Sequence, residues 1–170
     1  IAGFFPVFFK QYWSAGMDAS VSTYQLGNAN SISSGILAVL SPILGSIADR
    51  ASGRKALLIL FAFLGCTPTA ALALVANGNW QLGVFLYILA SIGFSGSNTF
   101  YDSLLVFVAQ PKELDRVSAL GFACGYLGGG ILFALNVFMT MKPKLFGLVD
   151  AAQAVQISFV TVGIWWAVFT

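Results

Sequence analysis

The sequence contains no histidine. That removes the commonest metal ligand and the usual proton carrier near neutral pH. Charge is scarce too: eight basic and six acidic residues make up 8% of the chain, against roughly 25% in soluble domains. So few charges cannot keep the surface of a water-soluble fold wet. With 58% hydrophobic residues and a mean hydropathy of +0.88, the composition specifies an integral membrane protein. A net charge of +2 is too small to suggest a nucleic-acid partner, and no basic run alternates with aromatics. Cysteine is sparse as well. Cys66 and Cys124 fall in separate apolar segments and read as buried free thiols rather than a disulfide or metal pair. No nucleophile stands beside a base and no P-loop occurs. No catalytic residue, cofactor or metal site is therefore expected.

What the chain has is long apolar runs. Ala19–Ala48 and Ala56–Tyr101 contain no Lys, Arg, Asp or Glu. Spanning helices are expected at about 28–48, 56–76, 81–109, 117–141 and 151–170, with a partial helix at 1–9. A β-barrel would need alternating segments of about ten residues; these runs are longer and do not alternate. "IAGFFPVFF" lacks the basic start of a signal peptide and reads as the tail of a helix that begins outside the sequence. The chain also stops inside an apolar run, so a fragment is expected. Asn77–Asn79 ("NGN") is a turn signal. Successive spans alternate in direction. The loops at 49–55 and 110–116 then share one side and carry Arg50, Arg54, Lys55, Lys112 and Arg116. The other side carries Lys10, Lys142 and Lys144. Five against three favours the first side as cytoplasmic.

"GSIADRASGRK", Gly45–Lys55, gathers four charges between two uncharged stretches. On spacing alone it is a tight turn anchored by basic residues. In detail, Gly45 would let helices approach closely at the membrane edge. Asp49 and Arg50 end one helix, Gly53 permits a sharp turn, and Arg54 and Lys55 open the next. Basic residues at a helix N-terminus oppose its dipole and need an acidic partner, for which Asp49 is the obvious choice. A loop holding both signs can lock one arrangement of helices and release another.

This stretch resembles the major facilitator superfamily loop between its second and third helices, commonly G-x-L-A-D-R-x-G-R-K. Here Ala51 and Ser52 stand where one residue is usual. "GFACGYLGGG", Gly121–Gly130, resembles the superfamily pattern G-x-x-x-G-P-x-x-G-G, with Tyr126 in place of the proline. "FFPVFF", "NANSISSGILAVLSPILGSIADR", "GFSGSNTFYDSLL", "RVSALGFACGYLGGG" and "GIWWAVF" resemble its vacuole-effluxer-like branch over nearly the whole chain. The resemblance implies about twelve helices in two six-helix bundles, of which this chain is the first. It also implies transport, with amino-acid export in fungal members.

Ser91, Ser95, Asn98 and Asp102 recur at i, i+4, i+7 and i+11, on one helical face. They line a water-filled cavity or bond to neighbouring helices. The related branch often has Asn where Asp102 stands. Asn30 and Ser34 share another face and are candidates for the outer mouth of the cavity. Gly121, Gly125 and Gly128 form a small-residue stripe that Gly129 widens. It is expected against another helix, as simple packing or as a sliding contact between bundles. The expectation is thus an all-α membrane protein, the N-terminal half of a secondary transporter. Asp49, Arg50 and Arg54 would form a cytoplasmic latch. Its partners would be a small-molecule or ion substrate, the bilayer of a bacterial cell membrane and a C-terminal half outside the sequence. The competing expectation is a membrane subunit that only packs or anchors.

Overall fold

The computed structural model describes residues 3–50 and 53–170. Among them the chain forms helices and no strand. α1 is Phe5–Phe8, continued by a π-helical turn over Phe9–Trp13. α2 spans Ala19–Arg50, α3 Arg54–Ala71, α4 Trp80–Val108, α5 Leu114–Met141 and α6 Ala151–Phe169. Short 3-10 turns follow α3 at Leu72–Leu74 and α5 at Pro143–Phe146. The five helices from α2 to α6 are long and apolar enough to cross a membrane. The expected all-helical bundle is what the chain forms.

α2 begins at Ala19 rather than at 28. The residues before Asn28 are polar but contain no proline, and their hydroxyls turn back onto the helix. Thr23 Oγ1 donates to the Ala19 carbonyl at 2.6 Å and Ser22 Oγ at 3.1 Å. Polarity there ends the apolar run without ending the helix. α3 loses its α geometry at Leu72, four residues before the expected end, and Val75 is extended. The chain then reverses through Asn77–Asn79, where Gly78 sits at φ +80°, a region that side chains rarely enter.

Two close approaches fix the centre of the bundle. A Cβ on Gly93 of α4 would collide with the backbone of Gly65 in α3, and one on Gly96 with the ring of Phe61. On the other side of α3, a Cβ on Gly163 of α6 would lie 2.9 Å from the Cys66 carbonyl oxygen and from Ala70 Cβ. Trp166 of α6 closes over Gly65. Lipid tails give helices no hydrophobic reason to associate, so backbones that approach through small residues supply the packing. α3 is thereby held between α4 and α6, while α2 packs on α4 and shares with it and α3 a small core of Leu44, Ala48, Phe100 and Phe61.

One end of the bundle is closed by aromatics. Phe5, Phe8, Phe9, Trp13, Leu72, Val75, Val155 and Phe159 form a buried cluster. Trp13 is fully buried, stacks on Phe159 with centroids 5.7 Å apart and donates its indole N–H to the Val75 carbonyl at 3.2 Å. A buried indole N–H needs such a partner. α5 is different. It touches α6 and, more lightly, α4, and most of its length is exposed. Large apolar side chains such as Leu60, Phe63, Leu127, Phe133 and Ile164 are also exposed. Such a surface suits lipid rather than water.

Candidate functional site

The charged cluster sits at the bundle end opposite Trp13. α3 opens there, and its first residue, Arg54, turns back across the loop. Its Nε donates to the Ala48 carbonyl and its Nη2 to the Asp49 carbonyl at 2.6 Å. The last carbonyls of α2 have no partner inside their own helix, and they form the negative end of its dipole. The guanidinium satisfies both needs at once. This corrects the expectation that the Asp49 side chain would hold the basic residues: Arg54 bonds Asp49 through its main chain. No carboxylate lies within 4.0 Å of a Lys or Arg nitrogen among the described residues. Asp49, Arg50 and Lys55 are exposed, and Arg54 is half-buried. Arg54 also lies over the ring of Phe107 near the end of α4, 4.6 Å from its centroid.

Two expectations about glycines in this loop are overturned. A Cβ on Gly45 would meet nothing within 4 Å, so no close helix approach occurs there among the described residues. Gly53 precedes α3 at φ −104°, a conformation open to any residue. Ala51 and Ser52, which stand where one residue is usual, lie outside the described residues.

The polar stripe on α4 divides along its length. Ser91 Oγ donates to the Tyr87 carbonyl at 2.8 Å, within its own helix. Ser95 is half-buried, whereas Asn98 and Asp102 are exposed on an open side of the bundle. Asn30 on α2 accepts a hydrogen bond from the Tyr87 hydroxyl at 2.7 Å. Ser34, one turn further along α2, is exposed. Tyr87 is eleven residues before Asn98, about 16 Å along the axis, so Asn30 and Asp102 belong to two separate levels. The clefts of about 220 Å³ at Met141–Leu145 and 470 Å³ along α5, between Ala123 and Ala134, include none of these residues.

The stripe on α5 is covered only in part. A Cβ on Gly121 would lie 2.7 Å from the Tyr101 hydroxyl, and one on Gly128 would lie 3.6 Å from Trp165. Gly125 and Gly129 would meet nothing within 4 Å among the described residues of this chain. Close approaches also occur at Gly3, Gly65, Gly93, Gly96 and Gly163. Glycine spacing such as that in "GFSG" is present in the sequence but does not say which face is covered. Asn136 on α5 is also buried; its Oδ1 accepts from Thr161 Oγ1 of α6 at 3.1 Å, and its Nδ2 has no partner. No group of three or more metal-ligating side chains occurs among the described residues.

The site has no nucleophile–base pair to run a reaction. It has a polar helix face open to one side and a guanidinium seated where three helices end. The family described as "Vacuole effluxer Atg22 like" matches residues 14–170. The chain is 39% identical over 168 residues to the MFS-type transporter YxiO of Bacillus subtilis, covering 98% of this chain and 39% of that protein. It is 24% identical over 132 residues to Autophagy-related protein 22 of Vanderwaltozyma polyspora, covering 68% of this chain and 24% of that protein. The chain thus spans well under half the length of these curated relatives. No solved structure matches it. With the family match running through all five long helices, the chain belongs to the vacuole effluxer Atg22-like family of major facilitator superfamily transporters.

Proposed function

We propose that the chain is the N-terminal bundle of a secondary active transporter that moves a small solute by alternating access. Asp102 carries the proposal. It is an exposed carboxylate inside a spanning helix that carries no other charged residue. Facing lipid it would cost about 2.5–3.5 kcal/mol on the lenient insertion scales. A water-filled path between two bundles avoids that cost. Asn98, Ser95 and Ser91 continue the same face, with Asn30 and Ser34 nearer the opposite end. Carriers of this kind rock two bundles about a site near the midplane, so a second bundle is required. The exposed Gly125 and Gly129 are a surface it would slide on. Asp49, Arg50 and Arg54 act as the latch, at the cytoplasmic side of a bacterial cell membrane. Amino-acid efflux is the proposed activity, supported by the family's description and the resemblance to its fungal members.

The test is flux. The full-length carrier, reconstituted in vesicles preloaded with labelled amino acids, should release them faster than protein-free vesicles. Asp102→Leu should slow that release. Folded protein that moves no amino acid in either direction would overturn the efflux assignment. An open reading frame that ends near Thr170 would favour a packing or anchoring subunit instead.

A further inference from the structure

The sequence pattern that singles out Gly45–Lys55 does not include Phe107. This residue is next to last in α4 and 67% exposed. Its ring centroid is 4.6 Å from the Arg54 guanidinium carbon, inside the range of a cation–π contact. The guanidinium is meanwhile bonded to the carbonyls of Ala48 and Asp49. Arg54 thus sits against the last turn of α2 on one side and the last turn of α4 on the other. The end of α4 offers no acid for this role. Asp102, the one carboxylate of α4, is five residues before Phe107, about 7.5 Å along the axis.

We propose that Phe107 is a positioning residue that holds the Arg54 guanidinium on the terminal carbonyls of α2. A ring does this without adding charge. A carboxylate at the same place would pull Arg54 away from α2 and repel Asp49. With Phe107, the cation is held by a π face and by main-chain oxygens, and the exposed Asp49 side chain takes no part in holding it. The importance of this for transport rests on the latch proposed above; the seating of Arg54 itself does not.

A thermal-unfolding cycle on the full-length carrier in detergent tests the seating. Phe107→Leu should lower the midpoint, and Phe107→Tyr, which keeps the ring, should restore it. In an Arg54→Gln background, Phe107→Leu should produce no further loss. Equal losses from Phe107→Leu in both backgrounds, or failure of Phe107→Tyr to restore the midpoint, would overturn the proposal. Because Phe107 is largely exposed, its replacement leaves the core intact. The labelling rate of a cysteine placed at Asn79 is read in parallel. A roughly two- to fivefold change with Phe107→Leu supports both the seating and the latch. Thermal coupling with unchanged labelling supports the seating and refutes the latch.

Discussion

Gly93 of α4 lies directly against the backbone of Gly65 in α3, closer than any side chain would allow. Gly93→Ala should therefore push the two helices apart. The added Cβ would meet backbone rather than the end of a flexible side chain, so the cost should be about 1–3 kcal/mol. Gly125→Ala, on a face with nothing within 4 Å, should leave the bundle's stability unchanged. Thermal unfolding of the two variants in detergent checks the contrast. An equal loss in both would disprove the assignment of the tight contact to α3 and α4.

The Thr161 hydroxyl of α6 lies within hydrogen-bond distance of Asn136 Oδ1 on α5, a part-buried contact at 3.1 Å, and of the Ser158 carbonyl in its own helix at 3.0 Å. Thr161→Val removes the donor and keeps the shape. Side-chain bonds between membrane helices average about 0.6 kcal/mol, so a small destabilisation is expected. It should vanish in an Asn136→Leu background, where no acceptor remains. A double-mutant cycle on unfolding midpoints measures it, and full additivity would show that the bond contributes nothing.

Asp102 is exposed on α4 and has no hydrogen-bond partner among the described residues. If it serves as a polar lining group, Asp102→Asn should preserve pH-driven flux in the full-length carrier, and Asp102→Leu should reduce it. Loss of pH-driven flux in Asp102→Asn, with substrate exchange intact, would instead make the carboxylate a proton carrier.

The two ends of the bundle should be reached from opposite sides of the membrane. Lys112 and Asn79 are both exposed, in loops at opposite ends of α4. In cells whose carrier lacks Cys124, Asn79→Cys should react with an impermeant reagent from outside. Lys112→Cys should react only after the cells are opened. The reverse result would invert the orientation drawn from the distribution of basic residues.

The spans were legible because nothing but a membrane helix accommodates runs this long and this free of charge. The start of α2 was not, because hydropathy ends at Asn28 whereas hydrogen bonding continues back to Ala19. Glycine spacing marked α5 as a contact surface, yet the tightest contacts are Gly65–Trp166, Gly96–Phe61 and Gly93–Gly65. A glycine stripe reports that close approach is allowed, and only the neighbouring helix decides whether it happens. The charge loop was recognisable from its residue types. Its bonding was not, because a sequence shows Asp49 as a side chain and hides the free carbonyls at the end of α2.

The short link between α3 and α4 bears on how the protein is made. Gly65 and Gly93 face each other across a hairpin whose turn, Asn77–Asn79, is brief. This pair needs no residue beyond Val108 to meet, whereas α6, which closes over Gly65 through Trp166, emerges from the ribosome after α3 and α4. Membrane helices insert first and associate afterwards, so the α3–α4 hairpin is the natural seed of assembly in the bilayer. Nascent chains stalled before Ala151 should already cross-link between α3 and α4. A collision at Gly93 would then act during synthesis, leaving an unpaired hairpin for quality-control proteases before the rest of the bundle exists.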